Sequence, residues 1–112
     1  MEHGTLYNNR WMISMTIDLE VAKRKLAETL PLLRDRYKVE SIGVFGSYVK
    51  NQQREGSDLD VLVVFSETID LFTLVELQNF LTELLQVKVD LTLQRSLKPR
   101  IREKILREVV YV

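Results

Sequence analysis

The chain has 112 residues, enough for one domain with one modest core. Its 16 Lys and Arg balance its 16 Asp and Glu, so no net charge draws it to nucleic acid or to an anionic membrane. It contains no cysteine, which excludes disulfides and thiolate zinc sites, and no apolar run that approaches the roughly 20 residues of a membrane span. The first 15 residues lack both the periodicity of an element and the basic start and apolar stretch of a signal peptide. They read as a poorly ordered leader, with Met15 as an alternative start. Residues 16–112 read as the folded domain, and the expected compartment is the cytoplasm.

Residues 16–37 predict a helix. Val21, Ala22, Leu26, Leu30 and Leu33 recur at helical spacing, and Thr16 or Asp18 can cap the start. Pro31 interrupts the pattern. It either kinks one helix or opens a second, with Thr29 as its cap. Residues 39–45 are a short strand that runs straight into Gly46-Ser47. Residues 47–50 suit one helical turn, and residues 51–57 are polar loop. The segment LDVLVVF, residues 59–65, is the clearest strand. Asp70 can cap a helix over residues 71–85, with Leu74, Leu77, Leu81 and Leu84 as an apolar stripe. In residues 87–93, Val87, Val89, Leu91 and Leu93 take one face of a strand, and Lys88, Asp90 and Thr92 the other. Residues 99–110 predict an amphipathic helix opened by Pro99, with Ile101, Ile105 and Val109 spaced four apart. The fold class is α/β (α+β): a small mixed sheet of about three strands covered by helices.

Asp58 and Asp60 stand two apart at the entrance of the strand, so their side chains share a face. Paired carboxylates repel, and a metal ion, a nearby cation or water must compensate. The rest of that strand is apolar, which puts the pair at the edge of a core. Their hard oxygens suit Mg²⁺, which is commonly held by one or two carboxylates together with substrate phosphates. Asp90 lies on the polar face of another strand. If the two strands are neighbours, three carboxylates converge and can hold two metals about 4 Å apart. By itself Asp-x-Asp more often marks a solvated edge or a cap. The Gly46-Ser47 turn adds backbone N–H groups and a hydroxyl at a helical start, and Gly46 has no Cβ to keep a phosphate away. Alone, that turn more often just ends a strand.

Taken together, GVFGSYVKNQQREGSDLDVLVV resembles the Gly-Ser, ten-residue spacer, Asp-x-Asp signature of the DNA polymerase β-like nucleotidyltransferases. The segment VKVDLTL looks like that family's third-carboxylate strand, and LKPRIREKILREVVYV resembles the tail of the minimal nucleotidyltransferases. The nearest likeness is to the MntA-like antitoxins of HEPN toxin–antitoxin pairs. The resemblance implies a polymerase β-like fold and a Mg²⁺-dependent enzyme, with two ions. It implies AMP transfer from ATP to a tyrosine of a HEPN RNase toxin encoded nearby. It implies that Asp58, Asp60 and Asp90 hold metal, with Asp90 also helping to deprotonate the acceptor. Gly46, Ser47 and Lys50 would bind the nucleotide. Many members follow Gly-Ser with Arg-Ala-Arg-Gly, where this chain has Tyr48-Val49-Lys50-Asn51.

Two alternatives stay open: an antitoxin that acts mainly by binding its toxin, and nucleotidyl transfer to a small molecule or RNA. A chain this small has little surface to hold a separate acceptor, which favours a protein that docks on it. His3, Tyr7 and Trp11 fall in the leader and are given no catalytic role. The cations Arg95, Lys98, Arg100, Arg102, Lys104 and Arg107 read as a solvated helix face, with Arg107 paired to Glu103, so direct nucleic-acid binding is not expected.

Overall fold

The computed structural model describes residues 17–112. The expectations for the leader, for Met15, His3, Tyr7 and Trp11, and for a Thr16 cap lie outside the described residues.

Helix α1 spans Leu19–Tyr37, and Asp18 caps it: its Oδ1 accepts the Val21 N–H at 3.0 Å. Pro31 sits inside this one helix and starts no second one. Pro31 lacks an N–H, so one backbone bond is lost. The Thr29 hydroxyl, expected as a cap, instead donates to the Lys25 carbonyl one turn back at 2.8 Å. Leu26 and Leu33 are fully buried on either side of the proline and hold both halves to the sheet. The helix ends at Lys38, whose left-handed backbone returns its N–H to Leu33.

Strand β1 (Val39–Phe45) leads into a 3₁₀ turn at Gly46–Tyr48. Strand β2 is Leu59–Phe65, and helix α2 is Leu71–Leu85. Asp70 caps α2 as the sequence predicts, its Oδ1 accepting the Thr73 N–H at 2.8 Å. The stripe buried by α2 is Leu77, Leu81 and Leu85, with Leu74 and Leu84 at its margins. Strand β3 covers Val89–Leu93 and α3 covers Pro99–Glu108.

The sheet has the order β3-β2-β1-β4. The mixed sheet covered by helices is the fold expected; strand β4 (Val110–Tyr111) adds a fourth strand to the about three anticipated and corrects the helix expected to reach residue 110. Val109 turns to extended backbone, and Val110 and Tyr111 pair antiparallel with Val44 and Gly43. The free edge of β1 supplies the partners, and the β-branched run suits a strand better than another helical turn. Ile101, expected on the buried side of α3, is half exposed, whereas Ile105 is buried.

Strand β1 runs antiparallel to β2, and β2 runs parallel to β3 with α2 as the crossover. One face of the sheet carries Ile42, Val44, Leu59, Val61, Val63 and Val89 against Ala22, Leu26, Leu33, Tyr37 and the α2 leucines. Each buried Leu or Val there contributes about 1.5–3 kcal/mol. The Tyr37 and Phe80 rings meet at 5.8 Å and join the two helices. The opposite face carries Asp60, Leu62 and Val64 of β2, and Asp90 and Thr92 of β3. The end of α3 crosses that second face. Gly43 lies opposite Leu62, and a Cβ there would stand 2.8 Å from Val109 Cγ2. Only glycine lets α3 and β4 approach so closely.

Candidate active site

The second face ends in the candidate site. In the parallel register of β2 and β3, Asp60 stands directly beside Asp90, one strand spacing or about 4.8 Å away along the backbone. The adjacency assumed for these two carboxylates is therefore real. Asp58 precedes β2 by one residue, on the same side as Asp60. On the other flank, Phe45 pairs with Asp60, so β1 delivers Gly46 to the same spot.

The contact between Gly46 and Asp60 is the tightest feature of the site. Gly46 has φ +81°, and any Cβ built there would overlap the Asp60 carboxylate, Oδ2 first. Glycine is required twice over, for the left-handed backbone and for the space. The turn that follows is closed by its own backbone: Val49 and Lys50 donate N–H groups to the Gly46 carbonyl at 3.1 and 3.2 Å. Gln52 donates to the Ser47 carbonyl at 2.8 Å. The Ser47 and Tyr48 N–H groups belong to a first helical turn, which has no earlier carbonyl to serve them. Ser47 therefore stands on a rigid turn that abuts the carboxylates.

The electrostatics follow from this crowding. Asp60 has its pKa raised, first by burial and then by the charges of Asp90 and Asp58. None of the three takes part in an ion pair among the described residues. The site thus holds up to three negative charges without a protein cation. Nor do the described residues hold three or more acidic or imidazole groups already gathered around one metal position. The strands set the backbone spacing, so side-chain rotation is the freedom left for closing on an ion. The donor set fits magnesium: three carboxylates, hard oxygens only, beside a turn able to take phosphate.

Lys50 is the predicted site residue that faces elsewhere. Its ammonium lies 3.7 Å from Glu108 at the end of α3. Tyr48 is the residue that spacing did not single out. It is buried, and its phenol pKa is raised by that burial and by the charge of Asp58. An aromatic ring directly after Gly-Ser, where many members of the signature carry arginine, was the available signal. The Tyr48 side chain joins the hydrophobic core behind the turn.

The nucleotidyltransferase domain family matches residues 26–112. Protein adenylyltransferase MntA of Thermococcus cleftensis is 50% identical over 80 residues, 71% of this chain and 81% of that protein. A solved structure of a candidate minimal nucleotidyltransferase superposes with TM-score 0.73 at 39% identity, covering 85% of this chain and 96% of its own. A solved complex of the tri-AMPylated Shewanella oneidensis HEPN toxin with its MNT antitoxin gives TM-score 0.59 at 26% identity, covering 80% and 70%.

Proposed function

This chain belongs to the nucleotidyltransferase domain family, and from that premise we propose that it is a Mg²⁺-dependent protein adenylyltransferase, an antitoxin moving AMP from ATP to a tyrosine of a HEPN toxin. The observation that carries the reading is the packing of Gly46 against Asp60. It puts a phosphate-accepting turn and a carboxylate group at one place. The MntA relative is named for adenylyl transfer to protein, and the toxin in the related complex carries AMP. The setting is the cytoplasm, where ATP and a toxin made beside it are both at hand.

Each residue has a task in this reaction. Ser47 and the turn after Gly46 hold the β- and γ-phosphates and orient the α-phosphorus. Asp58, Asp60 and Asp90 would hold the magnesium ions, which supply charge neutralisation at the phosphoryl oxygens. The acceptor phenol oxygen bonds to the α-phosphorus as the bond to the bridging oxygen of pyrophosphate breaks. Its proton passes to Asp90, the most exposed of the three carboxylates. Lys50 reaches a phosphate by leaving Glu108, an exchange of one partly exposed pairing for another.

The test is transfer of label from α-labelled ATP to the co-expressed toxin, with Asp58→Asn and Asp60→Asn as controls. Labelled toxin tyrosine with the wild type, and none with either variant, is expected. Absence of label from the wild type, with folded protein and magnesium present, would sink the proposal.

A binding-led antitoxin is the second reading, and an apolar patch favours it. Leu71 and Phe72 are 72% and 86% exposed at the start of α2, with Val75 one turn on. Adjacent exposed apolar side chains of this size commonly meet a partner protein. Protection of cells by Asp58→Asn as complete as by the wild type would favour that reading.

A further inference from the structure

A cavity of ≈ 450 Å³ opens where the two carboxylate strands begin. Its walls include Ile17, Tyr48, Gln53, Arg54, Val87 and Lys88. Lys88 precedes β3, and its carbonyl accepts the Leu59 N–H at 2.8 Å, which ties this end of the two strands together. Ile17, Tyr48 and Val87 belong to the core or pack against it, and they give the cavity an apolar floor. Gln53 adds an unmet polar group: its Oε1 is buried and has no hydrogen-bond partner among the described residues. Buried acceptors of this kind are rare, and each calls for a donor. The cavity therefore suits an occupant that is mainly apolar and carries an N–H.

We propose that this cavity seats the chain's own N-terminal segment, residues 11–15, with the Trp11 indole against its apolar floor. Ile17 stands in the wall, so the chain that precedes it leaves from the rim. Trp11 is six residues earlier, and six extended residues span up to about 20 Å, enough to reach any part of the cavity. The segment Trp11-Met12-Ile13-Ser14-Met15 has four apolar residues in five, a composition that gains by leaving water. The cavity falls in the size range of ligand pockets, roughly 300–1,000 Å³, so an indole ring fits. The indole N–H is a donor only, and the segment's backbone N–H groups donate as well, so it brings what Gln53 Oε1 lacks. A segment tethered at the rim meets the cavity at an effective concentration of order millimolar, an advantage that no free ligand of the same chemistry shares. Seated there, it braces Tyr48, two residues after Gly46, and the loop that leads into Asp58. The seat involves neither metal nor acceptor, so its failure and the failure of the nucleotidyl-transfer reading are separate results.

The chain has one tryptophan and no cysteine, so a single introduced cysteine can be labelled and read against Trp11 alone. Glu55→Cys and Lys88→Cys, both at exposed positions on the cavity wall, are each labelled with bimane, a fluorophore that tryptophan quenches on contact. Asn79→Cys, exposed on α2, is the control. Each labelled full-length chain is measured with Trp11 and with Trp11→Phe, and circular dichroism checks its fold. Tyr48 is present throughout, so the difference belongs to Trp11. Trp11→Phe should abolish quenching at one or both cavity labels, leave the control label unchanged, and do so at every protein concentration. Brightening at neither cavity label overturns the proposal, and so does brightening of the control label to the same extent. Quenching that dilution relieves puts the segment of a second copy in the cavity and overturns the seat within one chain. In the unlabelled native chain, Trp11 should emit to the blue of free tryptophan in water. Emission at the free position overturns the proposal whatever the labels show.

Discussion

Gly46→Ala tests the site and the fold at one position, and Gly56→Ala is its internal control. Both glycines have positive φ, +81° at Gly46 and +88° at Gly56. A side chain on a left-handed backbone costs about 1–2 kcal/mol in either place. At Gly56 nothing lies within 4 Å of the added methyl, so that strain is the whole effect. At Gly46 the methyl overlaps the Asp60 carboxylate, which must swing off its rotamer at a further cost of about 0.5–1.5 kcal/mol. Gly46→Ala should then lose about 1.5–3.5 kcal/mol, and Gly56→Ala about 1–2 kcal/mol. For a domain of this size, that is a fall in Tm of roughly 4–8 °C per kcal/mol. Activity separates the two further. Displacing a carboxylate proposed to hold metal by the order of 1 Å should cost about 100-fold in rate, whereas Gly56→Ala should keep full activity per folded molecule. Scanning calorimetry gives the stabilities, and α-labelled ATP with the toxin gives the rates. If folded Gly46→Ala turns over within about threefold of Gly56→Ala, the Gly46–Asp60 packing is not part of the catalytic arrangement.

Asp60→Asn reads the charge crowding. The Asp60 pKa stands above its ordinary value of 3.8 because of burial, Asp90 and Asp58. A carboxyl raised in the folded state favours folding fully below its unfolded pKa and loses that contribution as pH rises through the folded one. At neutral pH the ionised group therefore opposes folding. Without magnesium, Asp60→Asn should melt higher than the wild type at pH 7, and the advantage should fade on acidification through that window. Magnesium should raise the wild-type Tm by binding the folded state, and less so in the variant. A wild-type Tm indifferent to magnesium at millimolar concentration would remove the metal assignment. Asp70→Ala runs the opposite way. The hydrogen bond from Thr73 holds the Asp70 carboxyl below its ordinary value, so its capping contribution is present above the unfolded pKa and is lost as pH falls through the folded one. Asp70→Ala should melt lower than the wild type at pH 7 and level with it in strong acid. A constant gap across that range would show that the cap acts through something other than the carboxylate charge.

The local elements were legible because their signals are local. Asp18 and Asp70 announce helix starts by the hydrogen bond each makes three residues on. LDVLVVF is strand by composition, and residues 87–93 alternate so regularly that the faces of Val89, Asp90 and Leu91 could be assigned in advance. Asp58 and Asp60 share a face by the geometry of any strand. The second strand edge was not legible. Whether residues 109–112 continue a helix or pair with β1 depends on an open edge far away in the chain, where Val44 takes Val110 and Gly43 takes Tyr111. Nor did α1 reveal that it would carry Pro31 unbroken, since that depends on the sheet clamping Leu26 and Leu33.

The sequence by itself determined the chemistry of the site: three carboxylates, a Gly-Ser turn and the spacing between them, all written in residue identity and strand periodicity. Tertiary structure decided what those groups do to one another. It set Asp60 beside Asp90 by parallel pairing and brought Gly46 onto the Asp60 carboxylate through β1. It turned Lys50 toward Glu108 and gathered Tyr48, Val87 and Lys88 around a cavity where the carboxylate strands begin. These are contacts between segments far apart in the chain. Their distances come from strand register and helix packing, which no short stretch of residues contains.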